Sequence, residues 1–237
     1  DLYDIHDYGN LIGSQGNDLI LGGASHSVGV AGGIGDDVIY GNSIDALRYD
    51  LEEELATEDI IGSAINKINN HIEVNLGDNN LTLNNVLVDA RSAEDMWGGT
   101  DTIIGIENVF GSSGDDAIFG SSNSNEIYAG SGDDMIYGGS GSDILDGGAG
   151  QDMFVFLQND LQKGNNDTDL IHNFNVNEDK ISFDTLGIND VQIDLIDNEG
   201  GADAIVSFNE HADWGSIVLV DVGRLDTDDI IIDSGAV

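Results

Sequence analysis

The chain has 237 residues, with 46 Asp and Glu against 6 Lys and Arg, for a formal charge of −40. So many uncompensated negatives repel one another and disfavour compaction, which makes nucleic acid and anionic membrane poor partners and cations natural ones. There is no Cys, which excludes a disulfide framework and any thiolate zinc site, and no apolar run approaches the ~18 residues that would imply membrane insertion. An acidic chain with 33 Gly and 6% aromatics has the composition of a disordered segment, yet 40% of its residues are apolar and fall in short regular runs. Both states stay open, disorder above all when cations are absent.

The opening DLYDIHDY is acidic, lacks a signal-peptide pattern and looks cut from a longer chain. Two nonamers follow, GSQGNDLIL from Gly13 to Leu21 and GGIGDDVIY from Gly32 to Tyr40, with Asp18 and Asp37 in sixth position. Between them GGASHSVGVA is ten residues long and has lost the motif; Ser27 is expected to leave any site there empty. Residues 43–97 break the pattern. Leu51, Leu55, Ile60, Ile61, Ala64, Ile65, Ile68 and Ile72 are spaced largely as in a helix, with Thr57 or Asp59 as a cap for a second segment. IEVNLGDNNLTLNNVLVDA then alternates as strands around a GDNN turn. This insertion reads as a helix and hairpin shielding the repeats, the alternative being a ligand-binding element.

The fragment GGTDTIIGIENVF, Gly98 to Phe110, returns to the theme, and from Gly111 five nonamers run in register to Val155: GSSGDDAIF, GSSNSNEIY, AGSGDDMIY, GGSGSDILD and GGAGQDMFV. Position six holds Asp116, Asn125, Asp134, Asp143 and Asp152; position eight holds Ile118, Ile127, Ile136, Leu145 and Phe154. Glycine takes φ > 0 without steric cost, so each hexamer can turn sharply. The triplet after the acid is long enough only for a brief strand whose middle residue points inward. Two nonamers then make one coil, and residues eighteen apart stack: Asp116 over Asp134, Asn125 over Asp143, Asp134 over Asp152. Stacked carboxylates in a partly dry site repel by several kcal/mol and call for a hard cation between them. Oxygen ligands, flexible spacing and the carbonyls of a glycine turn favour calcium over magnesium.

These blocks resemble the RTX nonapeptide, G-G-x-G-x-D-x-U-x, of the calcium-binding parallel β-roll, over residues 10–42 and 98–156. The resemblance implies an all-β solenoid holding several Ca2+ ions. In the family, calcium takes the sixth-position side chain from two stacked turns and backbone carbonyls from positions such as one, two and four. The implied ligands are Gly13, Ser14, Gly16 and Asp18; Gly32, Gly33, Gly35 and Asp37; Asp101; Gly111, Ser112, Gly114 and Asp116; Gly120, Ser121, Asn123 and Asn125; Ala129, Gly130, Gly132 and Asp134; Gly138, Gly139, Gly141 and Asp143; and Gly147, Gly148, Gly150 and Asp152. Asn125 departs from aspartate, so its site is expected to be weaker.

After Gln158 the repeat stops. DTDLIHNFNVNEDKISFDTL, Asp167 to Leu186, resembles the segment that follows the roll in type I secretion substrates, with Asp169, Ile171, Phe174, Asp179 and Ile181 matching and Asn173 in place of an acid. Asp169 and Asp179 are the implied ligands there. GSIVLVDVGRLDTDDIII, Gly215 to Ile232, looks like the terminal strands of the same region, and the family's uncleaved export signal corresponds to the closing DDIIIDSGAV. This third is expected to cap the open end of the roll.

No H-E-x-x-H and no G-x-S-x-G occurs, and His6, His26, His71, His172 and His211 are scattered, so the residues nominate no catalytic centre. Trp97 and Trp214 read as packing residues. The expected organisation is a first tract (1–42), an α+β insertion (43–97), a main tract (98–156) and a C-terminal capping and secretion-signal region (157–237). The expected role is the calcium-dependent C-terminal module of a large bacterial surface adhesin, a monomer that passes unfolded through the type I secretion machinery and folds outside the cell. The alternatives are an appendage of a secreted protease, lipase or epimerase, and a glycan- or partner-binding module acting through the insertion.

Overall fold

The computed structural model describes residues 2–4, 10–22, 28–42, 45–50, 71–83, 85–95, 97–161, 167–184, 191–198, 201–208, 216–220 and 232–233. The helical spacing over 51–70, Ser27 and most of the closing segment lie outside them. Residues before Tyr49 form β1 (Leu2–Asp4), β2 (Asn10–Ile12), β3 (Leu19–Leu21), β4 (Gly29–Ala31), β5 (Val38–Tyr40) and β6 (Ala46–Arg48). The insertion supplies β7 (Glu73–Asn75), β8 (Leu81–Leu83), β9 (Val86–Val88) and β10 (Ser92–Glu94). The main tract supplies β11 (Thr100–Ile104), β12 (Asn108–Phe110), β13 (Ala117–Ser121), β14 (Glu126–Ser131), β15 (Met135–Gly139), β16 (Ile144–Ala149) and β17 (Met153–Leu157). Beyond a helical turn at Gln158–Leu161 come β18 (Thr168–His172), β19 (Lys180–Asp184), β20 (Val191–Asn198), β21 (Gly201–Phe208), β22 (Ser216–Val220) and β23 (Ile232–Asp233).

Successive strands alternate between two sheets. One has the order β1-β3-β5-β11-β10-β7-β13-β15-β17-β19-β23, the other β2-β4-β6-β12-β14-β16-β18-β22-β21-β20. Within the tracts all pairing is parallel, and Ile118 lies beside Ile136, Ile136 beside Phe154 and Ile127 beside Leu145, the register expected of a coil of two nonamers. The protein is a parallel β-roll.

The inward residue of each triplet fills the space between the sheets. Ile20, Val30, Ile39, Leu47, Val109, Ile118, Ile127, Ile136, Leu145, Phe154, Ile171 and Ile181 are all fully buried. Each such side chain contributes about 1.5–3 kcal/mol by leaving water.

Strands far apart in sequence join the two tracts into one roll. β5 pairs in parallel with β11, Ile39 beside Ile103, and β6 pairs in parallel with β12, Leu47 beside Val109. The insertion leaves after β6 and returns before β11. Two of its strands, β7 and β10, enter the first sheet between β11 and β13, with β10 antiparallel to both its neighbours. Its other two form an antiparallel hairpin that closes at Asn85, which takes φ 68°, rather than at the GDNN turn, which links β7 to β8. That hairpin packs Leu83 and Val88 against Ala117, Phe119 and Val155 on the outer face of the sheet, making a small second core.

The roll continues past the last nonamer. β18 stacks on β16 and β19 on β17, both in parallel. β22 then pairs in parallel with β18, while β21 and β20 follow it in antiparallel order.

Candidate metal centre

The turns between strands form two edges of the roll, and each edge carries a row of sixth-position side chains. On the edge entering the first sheet, Asp18, Asp37 and Asp101 stand in one row, and Asp116, Asp134, Asp152 and Asp179 in another. The backbone N–H of each donates to Oδ1 of the next: Asp18 to Asp37 at 2.7 Å, Asp37 to Asp101 at 3.0 Å, Asp116 to Asp134 at 2.7 Å, Asp134 to Asp152 at 3.1 Å and Asp152 to Asp179 at 3.0 Å. On the opposite edge Asn125 N–H donates to Asp143 Oδ1 at 2.9 Å and Asp143 N–H to Asp169 Oδ1 at 3.0 Å. The stacking read from the nonamer period is therefore present, and Asp101, Asp169 and Asp179 extend the rows beyond the nonamers. The insertion interrupts the first edge, where Ile72 occupies the rung above Asp116 and donates its N–H to Asp116 Oδ1 at 2.8 Å.

These acids are buried, Asp134 and Asp143 being 2% and 1% exposed. Burial, and after it the neighbouring carboxylates, pushes both up to about 8. Asp169 rises to about 7, and Asp37, Asp116 and Asp152 to about 6, burial again leading. Asp101 is raised well above the ordinary range by burial and by Asp37 and Asp95 nearby. Asp18, at the start of its row, is instead lowered; left alone, the raised acids hold protons at pH values where an exposed aspartate would be fully ionised.

Among the described residues, Oδ2 of Asp37, Asp95, Asp134, Asp143 and Asp152 is buried with no hydrogen-bond partner. A buried carboxylate oxygen without a partner costs several kcal/mol, so such a row implies something positive that the chain itself does not provide. The backbone is arranged to match. Position-two and position-four carbonyls face the next turn of the row: a Cβ on Gly148 would stand 2.0 Å from the carbonyl oxygen of Gly130, and one on Gly150 1.8 Å from that of Gly132. Position-one carbonyls face the previous turn, since a Cβ on Gly111 would meet the oxygen of Ala129 at 2.2 Å, and one on Gly120 that of Gly138 at 2.1 Å. Carboxylates converge on the same spaces: the Oδ2 atoms of Asp37 and Asp101 lie 2.6 and 2.5 Å from the point a Cβ on Gly32 would occupy. At Gly32, Gly111, Gly120, Gly148 and Gly150 a side chain would fill the cradle. Gly16, Gly35, Gly132, Gly141 and Gly150 at position four also carry left-handed φ values.

The donor set is all oxygen. Among the described residues no group of three His, Cys, Asp or Glu side chains forms a ready metal cluster, so a rung offers at most two carboxylates and the remaining donors to a cation would be carbonyls. That mixture fits a large hard cation of flexible coordination, which is calcium rather than zinc or magnesium. When bound, it supplies the positive charge that lets two stacked acids ionise together. The chain's own part is to hold the acids in register and to aim the carbonyls.

One rung is completed differently. Asn125 Nδ2 donates to the backbone oxygen of Glu107 at 2.8 Å and to its Oε2 at 3.1 Å, while Glu107 also accepts from Ser121 Oγ and Asn123 Nδ2 at 2.8 Å each. Glu107 holds the sixth position of the coil above. Sequence reading did not nominate it, because the turn before it spans only Gly105 and Ile106. Asp45 was missed too. It is fully buried, accepts from Val28 N–H at 3.1 Å and Asn42 N–H at 2.9 Å, and ends a turn one residue too short for the nonamer count. Asp95, also fully buried, accepts from the N–H groups of Trp97 and Gly99 at 2.7 and 2.9 Å. Its free Oδ2 faces the point where a Cβ on Gly99 would meet the carbonyl of Gly35. It lies in the insertion, outside any nonamer.

The match to a repeat family agrees with this geometry. The RTX calcium-binding nonapeptide repeat matches the chain four times, over residues 10–26, 30–43, 101–136 and 119–154. Among solved structures, the chain is similar to the AlgE6R3 subunit of the Azotobacter vinelandii mannuronan C5-epimerase at 24% identity, over 54% of this chain and 85% of that one, with a TM-score of 0.24. No curated protein matches. The stacked turns of this β-roll are RTX repeats, and the chain carries a calcium-binding domain of the RTX family.

Proposed function

We propose that the chain is the calcium-dependent folding and export module of a large secreted bacterial adhesin, passed unfolded through type I secretion machinery and folded outside the cell. The observation that carries this reading is the row of buried aspartates whose Oδ2 atoms have no partner in the chain. A protein folded in that form without a cation would bear several unpaired buried charges, or would have to protonate them. In calcium-poor cytosol the balance therefore favours the open chain, which suits passage through a narrow channel. In extracellular calcium at about 10⁻³ M, sites with dissociation constants near 10⁻⁴–10⁻³ M would fill, and binding free energy would become folding free energy. No helix among the described residues is long and apolar enough to cross a membrane.

The test is far-UV circular dichroism of the whole chain in chelator and in calcium. Coil in the first and strand in the second is the expected result, and superimposable spectra would end the proposal. Adhesion is the finer part of the reading. Replacing residues 78–91, which link β7 to β10, by a short glycine-serine linker and measuring folding and surface attachment separately distinguishes a scaffold from a ligand-binding insertion. One observation favours the second of these: a cleft of about 390 Å³ lies between the insertion and the roll, lined by polar groups including Asn75, Asp78, Arg91, Glu107 and Asn123.

A further inference from the structure

The turns fall into two kinds, and the residue at position two separates them. Where it is serine, the backbone closes on the acid. Ser14 N–H donates to Asp18 Oδ2 at 2.6 Å, Ser112 N–H to Asp116 Oδ2 at 2.7 Å, and Ser121 N–H to Asn125 Oδ1 at 2.9 Å. The serine hydroxyls add bonds to the same groups, from Ser14 at 3.1 Å and from Ser112 at 2.7 Å. Where it is glycine, the backbone turns the other way. Gly33, Gly130, Gly139 and Gly148 take φ values of 88°, 118°, 99° and 93°. Among the nonamer turns described, the acids of those four, Asp37, Asp134, Asp143 and Asp152, are the ones whose Oδ2 has no partner; Asp95, the other such acid, lies outside any nonamer. Serine does not adopt such φ values readily, so the residue type decides the turn's geometry and, through it, whether the acid is already satisfied.

Resting on the reading of these rows as calcium sites, we propose that position two sets which turns are committed to a cation: glycine-two turns require one, and serine-two turns close on their own acid and are the last to open as calcium is withdrawn. In a serine-two turn the inward N–H already answers the carboxylate, and a cation entering there must displace or share that bond. In a glycine-two turn nothing competes. The two kinds are segregated along the chain. The main tract opens with Ser112 and Ser121 and continues with Gly130, Gly139 and Gly148, so its first turns are self-closing and its later ones depend on calcium.

The experiment compares Ser112→Gly, Ser112→Ala and Asp134→Asn in the full chain by equilibrium dialysis against calcium at ~0.1 mM, the lower end of the range for extracellular modules. Ser112→Gly frees the turn to take the left-handed form and removes the competing bond at Asp116, so the Asp116–Asp134 rung should fill more completely at this concentration and the chain should bind more calcium than the wild type, by up to one ion. Ser112→Ala keeps the N–H and the negative φ and should bind the wild-type number. Equal binding by Ser112→Gly and wild type, or an equal gain in Ser112→Ala, overturns the proposal. Asp134→Asn keeps the underlying reading separate. If it lowers the count while Ser112→Gly does not raise it, only the role of position two fails; if it leaves the count unchanged, the calcium reading of the rows fails with it. A readout that does not depend on the variants' folding is hydrogen exchange of the wild type as calcium is withdrawn. Ser14 and Ser112 N–H should lose protection last, and loss before the glycine-two turns contradicts the proposal.

Discussion

The rung at Asp134 and the rung at Asn125 lie in neighbouring turns of one roll and solve the same problem by different chemistry. At Asp134 an acid stands between two acids, its N–H bonded to Asp152 Oδ1 and its Oδ1 to the N–H of Asp116, with Oδ2 left over. At Asn125 an amide replaces the acid, and its Nδ2 reaches Glu107 above. The first arrangement is stable only with positive charge from outside the chain. The second is closed by the chain's own donors. The two turns differ at position two, Ser121 against Gly130, as well as at position six, so one strand register accepts either solution.

The largest break in that comparison comes from Asp134→Ala. The side chain faces coils above and below, so two rungs should be lost, against one for Asp18→Ala in the first tract; isothermal titration with calcium counts them, and equal losses would mean the register is wrong. Next is pH in the presence of chelator. The folded-state pKa of Asp134 and Asp143 is raised to about 8, above the unfolded value near 3.9. The folded form therefore binds more protons, and its stability falls as pH rises from about 4 through 8. The calcium-free chain should show more strand at pH 5 than at pH 8 by circular dichroism, and calcium should bind more weakly at pH 5 because protons compete.

Asn125→Asp converts the second kind of rung toward the first. It should weaken the calcium-free fold by placing an acid against Glu107, and add an ion once calcium is present, read by native mass spectrometry. Asp95→Asn should lower calcium affinity where the tracts meet without changing the ions bound at Asp134 or Asp143; Trp97, whose backbone N–H donates to Asp95 Oδ1, reports the change by fluorescence. The smallest effect is that of Glu107→Gln, which keeps the shape but weakens a charge-assisted bond. It should cost about 1 kcal/mol in calcium-bound stability, measured by urea denaturation.

What the sequence made legible was whatever recurs at a fixed interval. The nonamer period placed Asp116, Asp134 and Asp152 in one row and Ile118, Ile136 and Phe154 in one core stack, because a solenoid turns sequence spacing directly into neighbourhood. Asp45 and Glu107 were hidden by turns shorter than the count, although their burial and bonds place them on the same edge. Asp95 carries no local signal at all; its environment exists only after the insertion folds back. The hairpin was placed around the wrong turn because GDNN has the better turn composition, while Asn85 adopts the left-handed backbone that closes the actual one. The union of the tracts was likewise unreadable, since GDDVIY and GTDTII share the repeat's pattern but the insertion between them breaks the spacing that would say whether β5 and β11 stack.

That union has a kinetic consequence. Neighbouring rungs elsewhere in the main tract are 18 positions apart, as for Asp116 and Asp134, but Asp37 and Asp101 are 64 apart. Closing the longer segment costs about 1 kcal/mol more in chain entropy, and the gain arrives only when both ends meet. Residues beyond Gly111 can wind up turn upon turn from nearest neighbours, whereas the start of the solenoid must wait for a distant docking event. Stopped-flow refolding into calcium should therefore show a fast phase from the later coils and a slower one from the junction, and shortening the intervening segment should speed the slower phase alone.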